Sequence, residues 1–190
     1  MANNANNVSA AKPGISGAIY RAATTTTLPT TADGSLDAAF TCLGYISEDG
    51  ITNSNSRESD TFKAWGGDTV LTSQTSYTDT FNFKLLEVLN SDVLQTVFGT
   101  DNVTGSDLST GIDVKANSKE LPSSAWVIDM IMRDDTLNRI VIPNGKISEV
   151  GDITYSSSDL TAYDITVTAF PDTSGNTHYE YKKASPVVTT

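Results

Sequence analysis

The chain is poor in the residues that do most protein chemistry. It has one cysteine and one histidine in 190 residues, and 12 basic residues against 23 acidic ones. Cys42 alone cannot build an internal disulfide framework, which fits a reducing compartment. In AAFTCLGY it lacks nearby basic residues, so an inert buried thiol is expected there rather than a nucleophile. A Ser-His-Asp arrangement would have to use His178, yet no nucleophile-elbow glycines frame any serine, and a solvent-exposed strand histidine is expected. A net charge of −11 disfavours a phosphate-reading face, because only Lys182 and Lys183 are adjacent. No apolar run is long enough for a membrane helix. The opening MANNANNVSAAKPG has neither a basic n-region nor an apolar h-region, so no secretory signal is read there. A soluble chain is expected.

Further absences narrow the field. Neither SEDGITNSNSRES nor FGTDNVTGSD spaces its carboxylates as a calcium loop does, so no metal is expected. Gly-x-Gly-x-x-Gly and the P-loop pattern are missing, so no cofactor is expected. The acidic residues stand singly, which leaves solvated charge as their default and no catalytic residue to name.

Serine, threonine and asparagine are abundant instead, and charged residues are only 18%. That balance suits strand surfaces and loops. The organising stretch is 60–99. Phe81, Phe83 and Leu85 alternate with Thr80, Asn82 and Lys84, the period-two pattern of a strand with one wet face. Gly66-Gly67 predicts a turn between two strand-like runs, and a third, longer strand follows. Ser91 reads as a helix N-cap, with Val93, Leu94 and Val97 as the apolar stripe and Gly99 as the stop.

In chain order, residues 1–18 read as a flexible arm, 19–183 as the domain and 184–190 as a tail. Ile15, Ala18, Ile19 and Tyr20 can begin a strand, Thr24–27 reads as extended, and Asp33-Gly34 marks a turn. Leu36, Phe40 and Leu43 suit either a helical turn or an irregular packed loop. Residues 47–59 read as a long polar loop, and 101–123 as a loop with one short strand. The β pattern returns in Trp126, Ile128, Met130 and Met132, set against Val127, Asp129, Ile131 and Arg133. Asp134-Asp135 turns into a strand over 137–142, and Asn144-Gly145 carries the strongest hairpin signal in the chain. Strands over 147–155 and 160–170 complete an expected four-strand meander. A turn at 173–176 and one last strand follow.

Four loose motifs, in order, resemble the major tail tube proteins of long-tailed, non-contractile bacteriophages. They are Leu43-Gly44-Tyr45 with Asp49-Gly50, Trp65-Gly66-Gly67, the segment 87–99, and Ala169-Phe170-Pro171-Asp172. The likeness runs from about Ile19 to about Tyr181. It implies a mainly β fold, an antiparallel β-sandwich or split barrel with one short flanking helix. It also implies hexameric rings that stack into a tube, through which DNA passes without specific binding. Implied partners are the chain itself, the tape-measure protein, the tail terminator and distal tail or baseplate proteins, with no membrane. The implied location is the virion tail, after assembly in the bacterial host cytoplasm.

On that reading the candidate lumen residues are Thr78, Thr80, Asn82, Lys84, Asp129 and Asp152. The candidate inter-subunit residues are Tyr20, Asp49, Trp65 and Trp126. The two termini and the 47–59 loop would reach neighbouring subunits. Alternatives are the inner tube of a related injection machine (a contractile tail, type VI secretion or a gene-transfer particle), a receptor- or carbohydrate-binding β-sandwich and, last, a hydrolase.

Overall fold

The computed structural model describes residues 3–14 and 17–184. The expectations for Ile15 and for the tail from 185 onward lie outside the described residues. Among the described residues eleven strands and one α-helix follow in order: β1 (Lys12–Pro13), β2 (Ile19–Ala23), β3 (Thr41–Cys42), β4 (Ile46–Lys63), β5 (Thr69–Leu85), α1 (Ser91–Phe98), β6 (Val103–Thr104), β7 (Asp113–Val114), β8 (Ser124–Ile131), β9 (Leu137–Val150), β10 (Tyr163–Ala169) and β11 (Tyr179–Lys183). All pairings are antiparallel. The main sheet runs β3-β2-β8-β9-β10-β5-β4, with β1 added on β8 and β11 on β9, while β6 and β7 pair separately. The protein is thus a mainly β, antiparallel fold of the sandwich kind with one helix.

Two hydrophobic cores explain the sequence pattern of the middle strands. Phe81, Phe83 and Leu85 of β5 meet Trp126 and Ile128 of β8, Ile165 and Val167 of β10, and Val93, Leu94 and Val97 of α1. The opposite face of β8, Ala125 and Val127, joins Val141, Ala22 and Phe40 in a second core bordered by Tyr20, Leu28, Leu36, Tyr179 and Tyr181. Both faces of β8 are covered, so SAWVIDMI reads as a nearly continuous apolar run rather than a clean alternation.

Asn144-Gly145 makes no hairpin. Both residues lie inside the single strand β9, so β8, β9 and β10 form a three-strand meander. Gly145 is there for room. Its carbonyl accepts a hydrogen bond from Trp126 Nε1 at 3.1 Å, and a Cβ at this position would stand 2.7 Å from Trp126 Cδ1 and 2.9 Å from Val167 Cγ1. Gly145→Ala is expected to destabilise the fold by about 1–3 kcal/mol, the cost of overpacking a dense core. Denaturant unfolding measures it, and a midpoint equal to wild type would refute the close-approach account. The left-handed turn instead falls to Asp134 and Asp135, with φ of 54° and 55°, as the two aspartates predict.

Other expectations shift for local reasons. Residues 47–59 are not a loop but most of the 18-residue strand β4. Ile51 packs against the main core, but from Thr52 on both faces meet solvent, so no apolar alternation marks the strand, and β5 supplies the backbone pairing. Likewise β5 is one strand of 17 residues, not two. Asn90, not Ser91, caps α1: its side chain accepts from the Asp92 amide at 2.9 Å. Gly99 does stop the helix, at φ 93°. Residues 24–25 turn rather than extend, since the Thr26 amide bonds back to the Ala23 carbonyl. The 36–43 segment is an irregular packed loop leading into β3, and 101–123 holds two short paired strands, β6 and β7. In the N-terminal arm, β1 lies along β8, and Arg133 holds Ser9 and the Ala5 carbonyl.

Candidate assembly surface

β5 pairs with β10 only from Asp79 to Leu85. Beyond that, β4 and β5 have only each other, from Asn55 opposite Asp79 out to Lys63 opposite Thr69. The result is a two-stranded ribbon that leaves the sheet and turns at Gly66-Gly67, both with positive φ. No residue from 54 to 78 is buried. Apolar side chains sit on it nevertheless: Phe62 faces Leu71 across the strands, and Val70, Trp65 and Tyr77 are also exposed. Trp65 at the tip is fully exposed. The Arg57 guanidinium covers the Tyr77 ring at 4.4 Å. A two-stranded ribbon with solvent on both faces is marginal by itself. It presents two unpaired edges, one along β4, where Arg57, Glu58, Asp60 and Lys63 limit indiscriminate pairing, and one along β5 from Thr69 to Thr78.

At its base the ribbon is pinned by one carboxylate. Asp79 is wholly buried and accepts from Asn53 Nδ2 at 2.7 Å, Thr177 Oγ1 at 2.6 Å and His178 Nδ1 at 2.6 Å. His178 is therefore half-buried against the edge of Phe81, not the exposed strand histidine expected. Sequence distance hid this contact, because His178 lies 99 residues from its partner. Cys42 is half-buried rather than sealed in the core.

The wet side of β5 extends into a broader polar face. Thr80 stands beside Ser54 and Thr168, Asn82 beside Thr52 and Thr166, and Lys84 beside Asp164. Asn82 Nδ2 reaches Asp164 Oδ1 at 2.8 Å and Thr166 Oγ1 at 3.1 Å, and Thr168 Oγ1 reaches Ser148 Oγ at 2.8 Å. Both cations on this face are engaged. Lys84 pairs with Asp49 at 3.3 Å, and Lys146 pairs with Glu120. The Ser47 hydroxyl, and then Lys84, hold the Asp49 carboxyl below its usual range. What remains is a surface of hydroxyls and amides with the Asp164 carboxylate among them.

The structure gathers Thr80, Asn82 and Lys84 on this face, with Thr78 next along the same strand on the exposed ribbon. It does not bring Asp129 to them: that carboxylate makes a two-pronged bond with Arg139, at 2.6 and 2.8 Å. Asp152 is exposed in the connection after β9. Among the contact candidates, Trp65 and Asp49 stay exposed. Tyr20 is half-buried beside the second core, and burial raises its phenol pKa. Trp126 is corrected: at 2% exposure, packed on Phe83, it is a core anchor and not available to a neighbour.

Two motifs about 42 residues apart in the chain meet. Gly44, at φ 73°, leaves room for the Glu87 carboxylate, which accepts from the Tyr45 amide and from Asn90 Nδ2, both at 3.0 Å. Among the described residues no helix is long and apolar enough to cross a membrane. Residues 1–185 match the family model described as phage tail tube protein. No curated protein matches the chain.

Proposed function

Because the chain belongs to the phage tail tube protein family, we propose that it polymerises as stacked hexameric rings forming the conduit for genome delivery into the host. Membership itself carries the coarser statement: this is a structural protein that assembles into the tail tube of the virion. The observation that best supports the finer one is the ribbon, an exposed two-stranded arm whose apolar side chains have nothing to cover them among the described residues. Such an arm gains its missing burial, and β4 its missing edge partner, from a neighbouring copy. A closed ring removes open edges altogether.

The polar face around Thr80 and Asn82 is the lumen wall in this reading. DNA phosphates sliding past hydroxyls and amides, with Lys84 and Lys146 already paired, release few counterions and find no lasting hold. Six chains of −11 give about −66 formal charges on a ring, which adds repulsion. The tape-measure protein would occupy the lumen during assembly, and the terminator and distal tail proteins would bind the tube ends.

Concentrated purified protein is expected to form hollow tubes, with six subunits per ring in image reconstructions and Thr80 and Asn82 on the inner wall. Particles that stay monomeric up to the solubility limit would refute polymerisation by this chain alone. Rings of another order would refute the hexamer.

A further inference from the structure

We propose that the groove at Arg21 receives a carboxylate from a second copy of this chain, a contact that rests on the self-assembly read above. Arg21 leaves β2 where the sheet meets α1. Its Nε donates to Ser124 Oγ at 2.9 Å and its Nη1 to Thr96 Oγ1 at 3.3 Å. Both hydroxyl residues are 2% exposed, so they form a fixed cradle. The groove beyond has a volume of about 320 Å³ and is lined also by Thr41, Asp92, Gln95 and Ser123.

The guanidinium in this cradle lacks a counter-charge. Among the described residues no carboxylate lies within 4.0 Å of it, Asp92 included, and Nη2 makes no hydrogen bond. Burial lowers its pKa, and no neighbouring acid offsets the effect. Arg139 shows how the same chain treats a guanidinium it keeps for itself. That side chain is 7% exposed and carries Asp129 on two nitrogens plus the carbonyls of Thr31 and Gly34 on a third. Desolvating a charge is costly unless an opposite charge replaces the water. Arg21 bears part of that cost with hydroxyls only.

Nη2 is unbonded and Nη1 gives only one of its two hydrogens to Thr96, so the Nη1–Nη2 end still offers the planar fork that a carboxylate matches with two parallel bonds. The chain offers eleven more acids than bases, and in a tube the surface at highest local concentration is another copy of itself. An acidic neighbour meeting a waiting arginine gives a contact that is directional as well as attractive.

Two variants test this. Arg21→Gln removes an uncompensated charge, so the melting point of the unassembled chain should stay level or rise. The protein concentration needed for polymerisation should rise about tenfold or more. Arg21→Lys places an amine in the groove. Zero-length carbodiimide treatment of the concentrated variant should then link residue 21 to an Asp or Glu of a second copy, identified by mass spectrometry of mixed isotope-labelled chains.

Arg21→Gln polymerising like wild type would overturn the proposal. So would links confined to Asp92 of the same chain, links to a different protein, or no link at all. The wild-type control separates the failures: wild-type chains that never polymerise defeat the tube reading, whereas wild-type tubes with an indifferent Arg21 defeat only this one.

Discussion

Joining Ser56 to Thr78 through Asn-Gly, in place of residues 57–77, should leave a folded subunit that no longer polymerises. The two residues already face each other across β4 and β5, so a two-residue turn can close the shortened hairpin. Nothing buried is removed, and Asn53 and Asp79 keep their bond. The melting point should therefore move by no more than a few degrees, while tubes disappear at concentrations where wild type forms them in full. Phe62→Ser with Leu71→Ser is the milder version. It removes one exposed cross-strand apolar pair and should raise the concentration needed for assembly by about tenfold or more, each side chain losing on the order of 1–2 kcal/mol of interface burial. Light scattering and electron microscopy measure both. Normal tubes from the excised form would remove the ribbon from the assembly mechanism. A variant that unfolds would show that the ribbon supports the domain instead.

Asp79→Ala should cost about 2–4 kcal/mol, the largest point-mutation effect expected outside the aromatic core. Three donors lose their acceptor at once, and each buried donor left bare costs about 1–3 kcal/mol, less for those that water can reach. Asn53 is exposed and His178 half-buried, which keeps the total toward the lower half of a simple sum. Asp79→Asn keeps the shape but retains one acceptor oxygen, so it should cost roughly half as much. The effect also has a place. Thr177 and His178 lead into β11, and β11 pairs with β9 from Tyr179 to Lys183. Its amides should therefore exchange faster in Asp79→Ala by a larger factor than those of β8. A loss under about 1 kcal/mol, or uniform exchange across the sheet, would show that Asp79 does not fasten the C-terminal strand.

The misread segments share a physical origin. A pattern of apolar residues reports where burial falls, and backbone pairing can proceed without burial. β4 illustrates this: from Thr52 to Lys63 it pairs with β5 while showing solvent on both faces, so nothing in the composition of that stretch separates it from a loop. Asn144-Gly145 errs in the other direction. The dipeptide permits a tight turn, but Trp126 from a strand 19 residues earlier in the chain needs the space above Gly145, and packing claims the glycine. Asn90 caps in place of Ser91 because both are good cap residues one position apart, and position along a helix end is fixed only by the incoming chain.

The sequence by itself determined the mainly β class, the burial of Phe81, Phe83 and Leu85, the α1 stripe and its Gly99 stop, and the Asp134-Asp135 turn. It also pointed to the family, through the order and spacing of four motifs, none of which carries chemistry. These are local or periodic features, written within a few residues of one another. The tertiary structure alone decided that the 46–85 hairpin runs off the sheet as a ribbon, that Asp79 gathers Asn53, Thr177 and His178, and that Gly44 seats Glu87. It alone set Arg21 among hydroxyls, with no acid beside it among the described residues, while giving Arg139 two prongs of Asp129. Most of those facts join residues far apart in the chain, and in all of them strand pairing and order set which side chains meet.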